Sequence, residues 1–356
     1  MTEHFALMID RRDISQATLR PVLPPDLQPG EARLDIERLT LSANTLTYGV
    51  TGDAFGYWKF FPVTGPAGLI PTWGIARVTH SRSDALPEGS RWFGFLPLAS
   101  CLVVAPKSRG EGLFTDTAPH RQPLPANYNI YRDVDRDPHF LSGREEECAL
   151  LRPLVMLSFL LVEHLKSIGL QNGDQVAFTS ASSKAALAAS FLAKRAGLGP
   201  CLGLTSAKNA AFVRATGAYG AVATYDEIEE LEAAPRVLLD ISGNDAVRAR
   251  AEARWATLLI ESQTVGATHW DASVESLSST SRTRFFFAPD VMKRLIGSWG
   301  AGAFETQFLD AWHAVLDWTP GWLTLDRREG AAGLAGAYAD LLRGAVAPHS
   351  GLFVAI

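Results

Sequence analysis

The sequence predicts an α/β protein, with a β-rich N-terminal domain followed by a doubly wound parallel sheet. Three observations predict it. From about residue 172 to 266, apolar runs of about five residues alternate with helical stretches of about ten, the pattern of right-handed βαβ crossovers. Before residue 122, short apolar runs are separated by Pro and Gly, as in a barrel or sandwich. A chain of 356 residues exceeds what one ordinary core serves, so two domains are expected.

Taken in order, residues 33–39 alternate polar and apolar with period two, as a half-buried strand does. Residues 92–96 and 102–106 supply further strands. The polar segment 123–148 reads as a surface connection. A helix starts near Gly143, with Glu145-Glu146-Glu147 as a solvated first turn at the positive end of its dipole. Residues 151–166 form an apolar helix with Pro153 in its first turn. The α/β succession places strands at 175–179, 201–205, 221–224, 237–241 and 257–260. Helices fill 184–197, 207–216, 225–234 and 246–254. In the tail, Phe285-Phe286-Phe287 reads as core or subunit interface. Helices over 290–299, 303–316 and 332–342 follow, then a strand at 351–356. The expected division is 1–150, 151–284 and a C-terminal segment, 285–356, that completes the two-domain fold.

Composition narrows the function classes. Hydrophobic residues make up 47% and charged residues 20%, ordinary for a globular chain. The net charge is -5 and no long Lys/Arg run occurs, so no nucleic-acid partner is expected. Cys101, Cys148 and Cys201 are scattered, without a CxxC pair, and support neither a disulfide framework nor a cysteine zinc site. The N-terminus is too polar for a signal peptide and no run of 18 apolar residues was found. The expectation is a cytoplasmic protein with no membrane span.

The first α/β strand runs through Thr179-Ser180-Ala181-Ser182-Ser183-Lys184 straight into a helix. A dinucleotide fingerprint places G-x-G-x-x-G here. Its glycines let the backbone approach a pyrophosphate, and the helix N-terminus supplies N–H groups and positive potential. Ser180, Ser183 and Ala186 stand where the glycines would. Small residues still permit close approach, and two hydroxyls and an ammonium can donate to phosphate. The competing reading is that Ser182 or Ser183 caps the helix. After the second strand, Ser206, Lys208 and Asn209 replace the carboxylate that would take a ribose 2′-hydroxyl. Lys208 with Ser206 suits a 2′-phosphate, so NADP is expected over NAD. Ser206 as a cap beside an exposed lysine is the alternative. Ser242-Gly243 after the fourth strand offers small residues for the dinucleotide to pass. Thr264 and Gly266 after the fifth offer a turn toward the nicotinamide.

On these residues the chain resembles the medium-chain dehydrogenase/reductase superfamily, in its zinc-free quinone-oxidoreductase-like branch. Residues 41–48 resemble that superfamily's early strand and loop. Residues 71–78 sit where it has a Pro-Gly-x-(Asp/Glu)-x-x-Gly-x-Val strand. Asp240 to Gly243 matches its fourth-strand pattern. Residues 51–58, 180–185 and 265–270 resemble an uncharacterised bacterial family within it. The resemblance implies a GroES-like β-barrel domain beside a Rossmann domain, with a homodimer by analogy. The catalytic-zinc motif is absent: Thr72-Trp73-Gly74 offers no ligand, so no metal is expected.

Without zinc, the cofactor supplies the hydride, and the protein must orient a small-molecule substrate and supply a proton. By the resemblance, Tyr48 is the first candidate donor and Asn44 orients the nicotinamide ribose or substrate. A Tyr48 that only packs is the alternative. His269, just past the nicotinamide-facing turn, is a second donor candidate or a structural histidine. Tyr57, Trp58, Phe60 and Phe61 form an aromatic cluster that reads as a flat substrate wall or else as core, and Tyr128 is placed to reach the same cleft. Three functional readings follow. One is an NADPH-dependent reductase of a quinone, enone or other activated double bond or carbonyl. Another is a degenerate NADP(H)-binding regulator or scaffold without turnover. The last is an α/β enzyme with a serine nucleophile, disfavoured because the G-x-S-x-G elbow is absent.

Overall fold

The computed structural model describes residues 4–110, 112–170, 173–265 and 283–356. The chain forms two compact units, Met1–Leu150 with Thr324–Ile356, and Leu151–Leu323. In chain order the first unit supplies β1 (Phe5–Asp10), β2 (Ala17–Pro21), β3 (Ala32–Leu41), α1 (Ala43–Val50), β4 (Ala67–Gly68) and β5 (Pro71–Ser81). Next come β6 (Arg91–Pro97), β7 (Cys101–Val104), β8 (Pro106–Ser108), β9 (Leu113–Asp116) and β10 (Ile130–Asp133). After α2 (Glu145–Ser167) come β11 (Gln175–Phe178), α3 (Lys184–Arg195), β12 (Cys201–Thr205), α4 (Ala207–Ala215), β13 (Ala221–Thr224) and β14 (Pro235–Asp240). Then follow α5 (Asp245–Arg254), β15 (Glu261–Thr264), β16 (Thr283–Phe285), α6 (Ala288–Trp299) and α7 (Ala301–Trp318). The last elements, β17 (Thr324–Glu329), α8 (Gly330–Leu342) and β18 (Ser350–Ala355), belong to the first unit.

The first unit is built on a sheet ordered β17-β18-β3-β5-β6-β10-β9-β8, an open path in its pairing, with β7 also paired to β3. Only Ala105 separates β7 from β8, so the polypeptide that ends the path leads directly to a strand lying on β3. The alternation of β3 buries Ala32, Leu34 and Ile36, as its period-two pattern requires. Gly94 faces Gly74 across β5 and β6, and a Cβ on Gly94 would lie 2.2 Å from the Tyr131 ring. Glycine there admits the aromatic ring against the sheet.

Several expectations are corrected here. Segment 123–148 is not all surface: β10 pairs with β6 and β9, and Tyr131, Asp133, Asp137 and His139 are buried. The helix dipole drew attention to Glu145-Glu146-Glu147 as a solvated turn. Instead Glu145 meets Arg91, Glu146 meets Arg38 and Arg327, and Glu147 meets Arg144. Residues 145–167 form one helix, which leaves Pro153 inside it rather than in its first turn. By length and composition α2 would cross a membrane, but its apolar window is 78% buried within the fold, the condition of a core helix. Residues 41–48 contain a helix, α1, where the resemblance implied strand and loop. A strand at 324–329 had not been expected.

The second unit has six parallel strands ordered β13-β12-β11-β14-β15-β16. The order reverses between β11 and β14. The loops leaving these neighbours diverge, which opens a crevice at their carboxyl ends. One core layer joins Ala177, Leu202, Leu204, Leu238, Val247 and Trp255. Two expected elements differ. Residues 257–260 are not a strand, because the Leu258 and Leu259 amides bond back to the Trp255 carbonyl and keep the chain turning; the strand is Glu261–Thr264. The helix expected over 225–234 is a short 3-10 turn, Tyr225–Glu230. Pro235 disfavours helical geometry in the residue before it.

Candidate functional site

In the second unit the site is assembled from the ends of β11, β12 and β14. Thr179, just past β11, donates to Asp240 Oδ1 at 2.6 Å and accepts the amides of Ile241 and Ser242 at 2.9 and 3.0 Å. These bonds hold the two diverging loops in register. Asp240 is fully buried and also accepts from Ser242 Oγ at 2.7 Å, with Arg248 Nη1 at 3.5 Å. The Ser242 hydroxyl thus turns inward, while Gly243 sits at φ +66°. Thr264 is buried, its hydroxyl 3.4 Å from Arg248 Nη1. Gly266 and His269 lie outside the described residues.

The glycine-less loop keeps a glycine's backbone. Ser180 has φ +48°, the sole non-glycine positive φ among the described residues. That conformation brings Cβ close to the backbone and is strained for L-residues. Two tyrosines hold it. The Ser180 amide donates to Tyr225 Oη at 3.0 Å, and Tyr219 Oη donates to the Ala181 carbonyl at 3.2 Å. Gly203 of β12 lies under this loop, where a Cβ would be 2.9 Å from the Ala181 methyl. Replacing Ser180 by Gly should therefore raise stability by about 0.5–1 kcal/mol, and by Val lower it by about 1–2 kcal/mol. Thermal unfolding of the two variants checks this; equal stability in both would show that the strain is absent in solution.

Ser183 caps α3, its Oγ accepting the Ala186 amide at 3.3 Å. Ser182 Oγ accepts from Asn209 Nδ2 at 3.0 Å, which links the loop to the start of α4. An oxygen that accepts an N–H keeps its own hydrogen to give. Both serines therefore cap or brace the fold and remain donors. Lys184 opens the helix half-buried, and burial lowers its pKa to about 8. Ser206 does not cap α4: its Oγ is buried with no hydrogen-bond partner among the described residues. Lys208 is exposed on the first turn of α4.

In the first unit, Asn44 and Tyr48 lie one turn apart on α1. The Tyr48 ring packs 4.7 Å from Tyr57, 5.2 Å from Phe95 and 6.4 Å from Tyr128. Tyr57 Oη and Tyr128 Oη are 3.3 Å apart. Tyr48 is 8% exposed, and burial pushes its pKa far above the ordinary phenol range, Tyr128 adding to the rise and a bond from Trp73 opposing it. Tyr57 and Tyr128 are raised for the same first cause. At neutral pH all three are donors. Trp58 is elsewhere: buried against Gly52 and Gly68, it lines a hollow of about 290 Å³ with Arg11, Lys59 and His120.

Sequence reasoning missed the groups that hold the candidates in place. Arg121 is fully buried against Asp116 at 2.8 Å, and it also bonds the Tyr128 carbonyl, Asn129 and the Tyr131 hydroxyl. Trp73 reaches Tyr48, and Tyr225 reaches Ser180. These pairs are separated by 25 and 45 residues, and no local pattern marks them. Among the described residues no cluster of three or more His, Cys, Asp or Glu is placed to hold a metal.

Over almost its whole length the fold is similar to that of several solved proteins. CurA from Vibrio vulnificus, solved in complex with NADPH, matches with a TM-score of 0.64 at 12% identity, covering 99% of this chain and 98% of that one. A quinone oxidoreductase from Coxiella burnetii gives 0.57 at 14% identity and 100% coverage of both chains. A mutant enoyl thioester reductase from Candida tropicalis gives 0.58 at 12%, again with 100% of both. The chain belongs to the family described as "Protein of unknown function (DUF2855)", which matches residues 39–347. No curated protein matches it. The expected resemblance to an uncharacterised family is borne out.

Proposed function

We propose that this chain is a zinc-independent, NADPH-dependent reductase of a quinone, enone or other activated double bond or carbonyl. The observation that carries the reading is the loop after β11. Ser182 and Ser183 accept protein N–H groups and so keep their own hydrogens to donate, at the N-terminus of α3 and beside Lys184. Two hydroxyl donors, an ammonium and a helix dipole form a diphosphate cradle. Ser206 and Lys208 then take the 2′-phosphate, Ser206 through a hydroxyl that has no partner among the described residues. In this reading the second unit is a Rossmann domain for NADP, and the first a GroES-like barrel closed through Ala105.

When bound, the cofactor supplies hydride. Tyr48 gives the proton to the oxygen on which charge develops, Asn44 orients the reacting groups, and Tyr57 and Tyr128 hold a flat acceptor. The Thr72-Trp73-Gly74 segment, with no metal-ligand side chain where zinc relatives have one, supports the zinc-independent assignment. A cytoplasmic homodimer acting on a small molecule, without nucleic acid or membrane, completes the proposal. A regulator that binds NADP(H) without turnover shares the cradle but not the chemistry.

The test of cofactor choice is Lys208→Glu. It should weaken NADPH binding about 100-fold and NADH binding less than about threefold, because only NADPH sets a phosphate against the new carboxylate. Titration of both nucleotides by fluorescence checks it. Equal loss for both would remove Lys208 from the 2′-phosphate.

A further inference from the structure

We propose that Trp73 is a positioning residue for the Tyr48 hydroxyl. This rests on Tyr48 being the proton donor. Trp73 lies on β5, its backbone paired with Thr40 on one side and Phe95 on the other. Its carbonyl accepts the Thr40 hydroxyl at 3.0 Å, and its ring stacks on Phe93 at 5.4 Å with an interplanar angle of 16°. Phe95 and Tyr128 rings flank it at 5.1 and 6.0 Å. The indole is thus fixed in direction, and its Nε1–H reaches Tyr48 Oη at 3.3 Å.

An indole N–H can only donate. Tyr48 Oη is therefore the acceptor in this pair, and its own O–H must point away from Trp73. The neighbouring hydroxyls of Tyr57 and Tyr128 are already paired with each other at 3.3 Å. In turnover Tyr48 would give its proton to the acceptor oxygen that gains charge as hydride from bound NADPH is added. The O–H bond of Tyr48 breaks, leaving a phenolate that solvent water reprotonates. The same Trp73 N–H that orients the hydroxyl faces this phenolate and stabilises it, an interaction stronger in the charged state than in the neutral one.

The test is a double-mutant cycle with Trp73→Phe and Tyr48→Phe, assayed by NADPH oxidation with menadione and with cinnamaldehyde. W73F should lower kcat about 10- to 100-fold, leave KM and NADPH affinity within about threefold, and cost nothing further when added to Y48F. Benzothienylalanine at position 73, which replaces the N–H by sulfur at nearly constant shape, should reproduce the W73F loss and guards against a packing artefact. Additive losses in the double variant, a loss confined to KM, or full activity in W73F while Y48F is impaired would overturn the positioning role alone. Full activity in Y48F, or no NADPH oxidation by the native chain with either acceptor, would overturn the underlying reading instead.

Discussion

Replacing Ser183 by Asp should weaken NADPH binding at least about 100-fold and leave the second unit folded. Aspartate is as good an N-cap as serine, so its carboxylate takes over the Ala186 amide and sits favourably at the positive end of α3. Stability should be unchanged or slightly higher. The same carboxylate now faces the diphosphate. Like charges about 4 Å apart at an effective dielectric near 20 repel by roughly 4 kcal/mol, enough for a loss of at least about 100-fold. Ser183→Thr, which keeps both the hydroxyl and the cap, should bind nearly as the native chain does. Calorimetric titration beside a thermal melt separates the outcomes. Native-like NADPH affinity in the Asp variant would show that the diphosphate lies elsewhere.

Replacing Tyr48 by Phe should lower kcat by about 10²- to 10⁴-fold with NADPH affinity retained. The ring remains and keeps its contacts with Tyr57 and Phe95, so the substrate wall stays in place. Only the hydroxyl goes, and with it the proton donor and the acceptor for Trp73. The loss should fall on the chemical step, visible in single-turnover NADPH oxidation, whereas a packing role for Tyr48 would lower stability and spare the rate. A Y48F enzyme with native turnover would return the tyrosine to the core.

The parallel sheet was legible because its signal is local and repeated. Each strand and helix carries its own apolar period, and a Gly such as Gly217 ends a helix one residue after its C-cap. The loop after β11 was legible by position, since it follows the first strand and opens a helix. Its conformation was not. The positive φ of Ser180 depends on Tyr225 and Tyr219, far along the chain and brought near by β12 and β13. The polar stretch 123–148 was misread for a related reason. Asp133, Asp137 and His139 look solvated in sequence, but each is buried, with Asp137 held between Arg132 and the His139 ring. Burial of a charge is decided by its partner, and the partner is a tertiary fact. In the first unit Tyr48 was reached through resemblance, while Trp73, whose indole N–H reaches its hydroxyl, carries no mark beyond being aromatic on a strand.

The central claim is that serine hydroxyls and an ammonium do for a diphosphate what glycines ordinarily permit. Titration of the purified chain with NADPH and with NADH, followed by cofactor fluorescence and by calorimetry, tests it most directly. The expected result is saturable one-to-one binding of NADPH, at least about tenfold tighter than NADH. Binding of neither nucleotide at millimolar concentration would contradict the claim.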